Sequence, residues 1–115
     1  MARTILIIDD NVQLAENLAE ILRLLGHVTE VASNAEEALP KAGQLAPDVV
    51  LTDYRLPGTD GASLLRQLRD QGARAKLIVM SAFTDDGTIA DVRRAGAAFM
   101  PKPVNLEELA RLVAD

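Results

Sequence analysis

Three carboxylates, one hydroxyl and one ammonium group stand at matching places in this chain, each just past a short apolar run. Asp9 and Asp10 follow Ile5–Ile8, Asp53 follows Asp48–Thr52, Ser81 follows Lys76–Met80, and Lys102 comes two residues after Ala97–Met100. If those runs are neighbouring strands, three ionised acids meet. Two unit charges 4 Å apart in an effective dielectric of 20 repel by about 4 kcal/mol, so the group takes a counter-charge or keeps a proton. Lys102 supplies one positive charge, and a hard divalent ion that accepts oxygen ligands, Mg²⁺ or in its place Mn²⁺, supplies two more. With the cation bound, one carboxylate can attack an incoming phosphorus atom. Ammonium, hydroxyl and cation then stabilise the equatorial oxygens, and positioning does most of the catalysis. Each residue alone has a plainer reading. An acid after a strand caps the next helix, a serine there packs, and a lysine there is solvated. It is the coincidence of five on one edge that selects the chemistry.

The elements that must position these groups alternate along the chain. Ile5-Leu6-Ile7-Ile8 is continuously apolar, as in a strand buried on both faces of a parallel sheet. A helix over Val12 to Leu25 follows, with Ala15, Leu18, Leu22 and Leu25 at helical spacing, Asn11 as cap and Gly26 at the left-handed C-terminal position. Val28–Ala32 is the second strand. Ser33 and Glu36 have capping-box spacing for a helix ending near Lys41, where Pro40 is expected to stop or kink it. Asp48–Thr52 is the third strand, and Leu56-Pro57-Gly58-Thr59-Asp60-Gly61 turns into a helix with Leu64, Leu65 and Leu68 inward. Lys76–Met80, a helix from Asp85 to Ala95, the strand Ala97–Met100, and a last helix capped by Asn105 with Glu108 complete the pattern. Five such alternations predict an α/β fold with one parallel sheet and helices on both faces, in which ligands sit beyond the carboxyl ends of the strands.

Composition narrows the function. The chain has 115 residues, 49% of them apolar and 25% charged, which suits one globular domain over 1–115 with its output elsewhere. A net charge of −5 argues against direct nucleic-acid contact, which needs clustered Lys and Arg. There is no cysteine for a disulfide or thiolate site, and no apolar run approaches a membrane span, so a cytoplasmic location is expected.

The sequence resembles the receiver domain of bacterial two-component response regulators along its whole length. The resemblance lies in Ile7-Ile8-Asp9-Asp10, in Asp53 through Gly61, in Ser81-Ala82, in Gly96-Ala97 and in Phe99-Met100-Pro101-Lys102-Pro103. It implies a flavodoxin-like doubly wound (βα)5 fold, strand order 2-1-3-4-5. It also implies a phosphoacceptor signalling domain rather than an enzyme with a separate substrate. In similar domains Asp53 is the phosphoacceptor. Asp9, Asp10, Asp53 and the Arg55 backbone carbonyl are the metal ligands, Ser81 is the switch hydroxyl, and Lys102 is its partner. Pro103 follows a cis peptide, and Phe99 occupies the switch-aromatic position, with simple core packing as its alternative. Arg55 and Phe83 stand where water access to the aspartyl phosphate is controlled in similar domains. The implied partners are a histidine kinase or histidine phosphotransfer protein and an output domain or protein. A dimer would form through the fourth helix, fifth strand and fifth helix, near Ile89, Arg93, Arg94 and Phe99.

Leu14, with Gln13 and Asn17, is expected to face solvent beside the crevice and dock the phosphodonor. His27 is read as a surface or packing residue. Two rivals from other classes have distinct signatures. An aspartyl phosphohydrolase would want a second acid where Arg55 stands and a cap over the site. An unphosphorylated docking module would have lost some of the five crevice residues, and all are present.

Overall fold

The computed structural model describes residues 2–115; Met1, included in the expected single domain, lies outside them. In chain order the elements are β1 (Thr4–Ile8), α1 (Val12–Leu24), β2 (Val28–Ala32), α2 (Ala35–Leu45), β3 (Val49–Asp53), β4 (Arg55–Leu56), β5 (Thr59–Asp60), α3 (Gly61–Asp70), β6 (Lys76–Ser81), α4 (Asp86–Arg94), β7 (Ala98–Pro101) and α5 (Leu106–Ala114). The five longer strands form one parallel sheet, ordered β2-β1-β3-β6-β7. Counting those five strands alone, this is the expected order 2-1-3-4-5. β4 and β5 form a separate two-residue antiparallel hairpin, too short to show any periodicity in the sequence.

Alternation along the strands builds two cores. Ile5, Ile7, Val49, Leu51, Ile78 and Met80 pack with Ala15, Leu18, Leu22, Leu109 and Val113 under α1 and α5. Leu6, Ile8, Val50, Leu77 and Val79 face the other way, toward Leu64, Leu65 and Leu68 of α3 and Val92 of α4. All five helices open on an Asn or Asp whose side chain accepts a first-turn N–H: Asn11, Asn34, Asp60, Asp85 and Asn105. α1 closes as its sequence indicates, with Gly26 at φ +97° and its N–H donating to the Arg23 carbonyl.

α2 departs from expectation twice. Its cap is Asn34, not Ser33, and the acid that reaches back is Glu37, not Glu36. The Glu37 carboxylate accepts from the Ser33 N–H at 2.7 Å and the Ser33 hydroxyl at 2.8 Å. The helix also runs through Pro40 to Leu45. Pro40 and Glu36, whose carbonyl loses its partner there, both face solvent, so water can take that carbonyl and the cost stays local. Termination comes instead at Ala46, in the left-handed region at φ 45° ahead of Pro47, because a residue before proline is steered away from the helical conformation.

Long cations fasten the margins of the sheet. Arg23 donates to the Thr29 carbonyl at 3.3 Å and Lys41 to the Val31 carbonyl at 2.6 Å, both on β2. Lys76 and Arg3 donate to the Leu112 and Ala114 carbonyls at the end of α5, 2.7 and 3.2 Å away. His27, away from the carboxyl ends of the strands, accepts the Arg3 backbone N–H on Nδ1 at 3.0 Å.

Gly61 is needed for close approach. A Cβ there would lie 2.7 Å from the Asp53 carbonyl oxygen and 3.2 Å from Tyr54 Cα, both backbone atoms that cannot swing aside. Its N–H also donates to the Tyr54 carbonyl at 2.5 Å. We expect Gly61→Ala to lower stability by about 2–3 kcal/mol, the upper range for overpacking. Urea unfolding reads this directly, and an unchanged midpoint would refute the close approach.

Candidate functional site

Three adjacent strands, β1, β3 and β6, end side by side and raise their last side chains into one crevice. The Asp9 backbone N–H still donates to the Ala32 carbonyl at 3.1 Å, so Asp9 is held as an extension of the sheet. Its side chain is 1% exposed. Oδ1 accepts from the Asn11 N–H at 2.9 Å and Oδ2 from the Lys102 ammonium at 3.1 Å. Asp10 turns outward and is exposed. Asp53, at the end of β3, places Oδ1 3.2 Å from Lys102 Nζ and keeps 15% of its side chain exposed. One carboxylate oxygen from each of Asp9, Asp10 and Asp53 lies within 4.8 Å of the others.

Lys102 reaches the acids from the far side. Its N–H donates to the Ser81 carbonyl at 2.8 Å, extending the β6–β7 pairing, and the following Lys102–Pro103 peptide is cis. Ser81 is buried, with its hydroxyl oxygen accepting the Phe83 N–H at 2.9 Å. The Phe83 ring is 46% exposed and carries the Arg55 guanidinium over its face, 4.3 Å from the centroid. Arg55 opens the hairpin two residues beyond Asp53.

The electrostatics follow from this packing. Burial pushes the Asp53 carboxyl above the usual aspartate range; the Lys102 charge opposes that shift and the Asp9 charge adds to it. Burial alone would depress the Lys102 ammonium, but its hydrogen bond to Asp9 and the Asp53 charge outweigh this and raise it. Three carboxylates against one ammonium leave two negative charges when all are ionised. An all-oxygen donor set of that charge fits a hard divalent cation. Such an ion binds through one or two carboxylates and keeps several waters, so the three acids need not all touch it directly.

The structure thus brings together Asp9, Asp10, Asp53 and Lys102, with Ser81 and Arg55 beside them. Phe99 is half-buried and packs against the α3–α4 core. Leu14 is a correction. It is half-buried against the α1–α5 core rather than facing solvent, because it continues the Leu18–Leu22 row by one turn. The exposed apolar side chain at the start of α1 is Val12, at 53%. Sequence reasoning passed over Tyr54, whose hydroxyl donates to Asp91 on α4 at 3.0 Å. The available signal was an aromatic directly after Asp53 in a chain with 3% aromatics.

Residues 5–114 match the family model described as the response regulator receiver domain. The chain belongs to that family. It is 44% identical over 103 residues to a response regulator receiver protein of Anaeromyxobacter sp. (strain Fw109-5), a match covering 89% of this chain and 43% of that protein. It is 36% identical over 110 residues to the regulatory protein AtoC of Escherichia coli (strain K12), covering 95% of this chain and 24% of AtoC. Among solved structures, a CheY-like response regulator receiver domain protein from Methanospirillum hungatei JF-1 superposes with a TM-score of 0.91. The two are 28% identical over 99% of this chain and 92% of that one. The chain spans less than half the length of these two curated relatives. Receiver domains are the phosphoacceptor signalling modules of two-component systems and interact with histidine kinases and output domains. None of the helices among the described residues is long and apolar enough to cross a membrane.

Proposed function

We propose that this receiver domain takes a phosphoryl group on Asp53 from a histidine kinase or histidine phosphotransfer protein, and passes the change on to an output domain or partner. The observation that carries this reading is the Lys102 ammonium set between Asp9 and Asp53 at 3.1 and 3.2 Å. Asp9 has both oxygens engaged and almost no exposure, so it is not the nucleophile. Asp53 is engaged at Oδ1 and more exposed, which leaves Oδ2 as the nucleophile. Oδ2 forms the new bond to phosphorus as the bond from phosphorus to the donor's imidazole nitrogen, or to an acyl oxygen, breaks. Lys102 and the Ser81 hydroxyl meet the phosphoryl oxygens. Asp9, Asp10, Asp53 and the Arg55 carbonyl hold Mg²⁺, which when bound supplies two positive charges against those oxygens. The only chemistry assigned is self-phosphotransfer and its reversal by water. Phe99 is assigned the switch-aromatic role and Val12 the exposed contact for the donor.

The dimer surface is assigned to α4, β7 and α5 and the location to the cytoplasm, and the net charge of −5 argues against direct nucleic-acid contact. Incubation with acetyl phosphate followed by intact-mass measurement tests the reading. A gain of one phosphoryl group in Mg²⁺ that disappears in EDTA is expected. No gain in folded protein would overturn it and favour a docking module.

A further inference from the structure

Asp91, midway along α4, accepts two hydrogen bonds from two other elements. The Tyr54 hydroxyl donates to Oδ2 at 3.0 Å and the Arg66 guanidinium, from α3, to Oδ1 at 3.0 Å. Tyr54 directly follows Asp53, so one carboxylate joins the neighbour of the acceptor, α3 and α4. Tyr54 is stiff at its base. Its N–H donates to the Met80 carbonyl at 2.8 Å and its carbonyl accepts from Gly61. The phenol is therefore a rigid arm from the strand end to α4, and α4 has few other anchors. Val92 is its one buried residue, against five in α3.

We infer that Tyr54, Asp91 and Arg66 form a clasp that sets the position of α4, and that a change at Asp53 reaches α4 through it. The inference rests on the reading of Asp53 as acceptor. The arms are unequal. The Arg66 side chain is 49% exposed and the Asp91 side chain 29%; ion pairs this open contribute little, and a mobile guanidinium can follow Asp91 when it moves. The Tyr54 bond is half-buried and fixed at one end. Hydrogen bonds weaken steeply as geometry worsens, so a small displacement of the strand end, where phosphoryl oxygens would crowd Asp53, breaks it and frees α4.

Amide hydrogen exchange on the full chain tests the clasp, comparing wild type, Tyr54→Phe and Arg66→Met before and after acetyl phosphate with Mg²⁺, with intact mass read on the same samples. Before phosphorylation, amides of Ile89 to Arg94 should exchange about tenfold faster in Tyr54→Phe, the factor that 1.4 kcal/mol represents. Amides of β1 and β3 should keep wild-type rates. Arg66→Met should speed the same α4 amides by a smaller factor. Phosphorylation should speed them in wild type and add little in Tyr54→Phe. Wild-type α4 rates in Tyr54→Phe would overturn the clasp, and an undiminished phosphorylation effect in that variant would overturn the route. A wild type that gains no phosphoryl mass overturns the acceptor reading instead, while the unphosphorylated rates still judge the clasp. If Tyr54→Phe loosens β1 and β3 as well, Asp91→Ala decides, since it removes both hydrogen bonds from the α4 side and leaves the strand end untouched; wild-type α4 rates in that variant overturn the clasp.

Discussion

Asp53→Asn should take up no phosphoryl group from acetyl phosphate and, in Mg²⁺-free buffer at neutral pH, should melt at a higher temperature than the wild type. The loss of chemistry follows because an amide oxygen is a poor nucleophile and no other carboxylate here is both free at one oxygen and set against Lys102. The gain in stability follows from the charge. Burial pushes the Asp53 carboxyl up, the nearby Asp9 adds to this, and Lys102 offsets only part. A carboxyl with a raised folded-state pKa stabilises the fold below the ordinary aspartate pKa of about 3.9, and that contribution is lost as pH rises through the folded value. At neutral pH the ionised group is a liability that asparagine does not share. Melts across pH in EDTA should show the two proteins converging as pH falls toward the acid range. Added Mg²⁺ should narrow the gap at neutral pH by giving the wild-type carboxylate its counter-charge. A variant that still gains a phosphoryl group would move the acceptor elsewhere, and one that melts below wild type would reverse the assigned balance of burial and ion pairing.

Lys102→Met should be the most destabilising substitution in the crevice when no divalent cation is present. The ammonium bridges two acids, one of them with a side chain only 1% exposed. Breaking a buried pair from one side costs about 3–5 kcal/mol. Lys102 itself is 21% exposed, so solvent screening brings the expectation down to about 2–3 kcal/mol. At roughly 4–8 °C per kcal/mol for a domain of 60–100 residues, and somewhat less for a longer chain, that is on the order of 10 °C in Tm. The raised ammonium pKa means this stabilisation is complete below the ordinary lysine value of about 10.4 and is lost only as pH rises through the folded value, so the deficit should be constant across neutral pH. Mg²⁺ should restore much of it, because a divalent ion neutralises the same acids. Equal Tm for the two proteins in EDTA would show that the ammonium is not what holds Asp9 and Asp53 together.

Most of the scaffold was legible because each element carries its own signal. Runs such as Ile5–Ile8 read as fully buried strands, and Asn11, Asp85 and Asn105 mark helix starts with side chains that accept the N–H three residues on. The five crevice groups were legible for the same reason, since each follows its strand directly or nearly so. What failed depended on surroundings that spacing does not encode. Whether Pro40 ends α2 turns on whether the carbonyl it frees meets water. Whether Leu14 is exposed turns on how wide a stripe the sheet covers. Tyr54 and Asp91 are 37 residues apart, and their bond exists only because the fold brings the middle of α4 to the residue after β3.

The cations along β2 have a consequence for how these molecules meet one another. β1 takes the backbone groups of Val28 and Ala32, so those of Thr29 and Val31 point away from the sheet. Both of those carbonyls are already occupied, by Arg23 and Lys41. A bare edge is a template on which another chain can add a strand, the usual route to end-to-end aggregation. Here an incoming strand would have to displace two side-chain cations and leave their charges beside its own backbone. Growth by strand addition is disfavoured on that side, because half of the outward backbone hydrogen-bonding groups of Thr29 and Val31 are already taken.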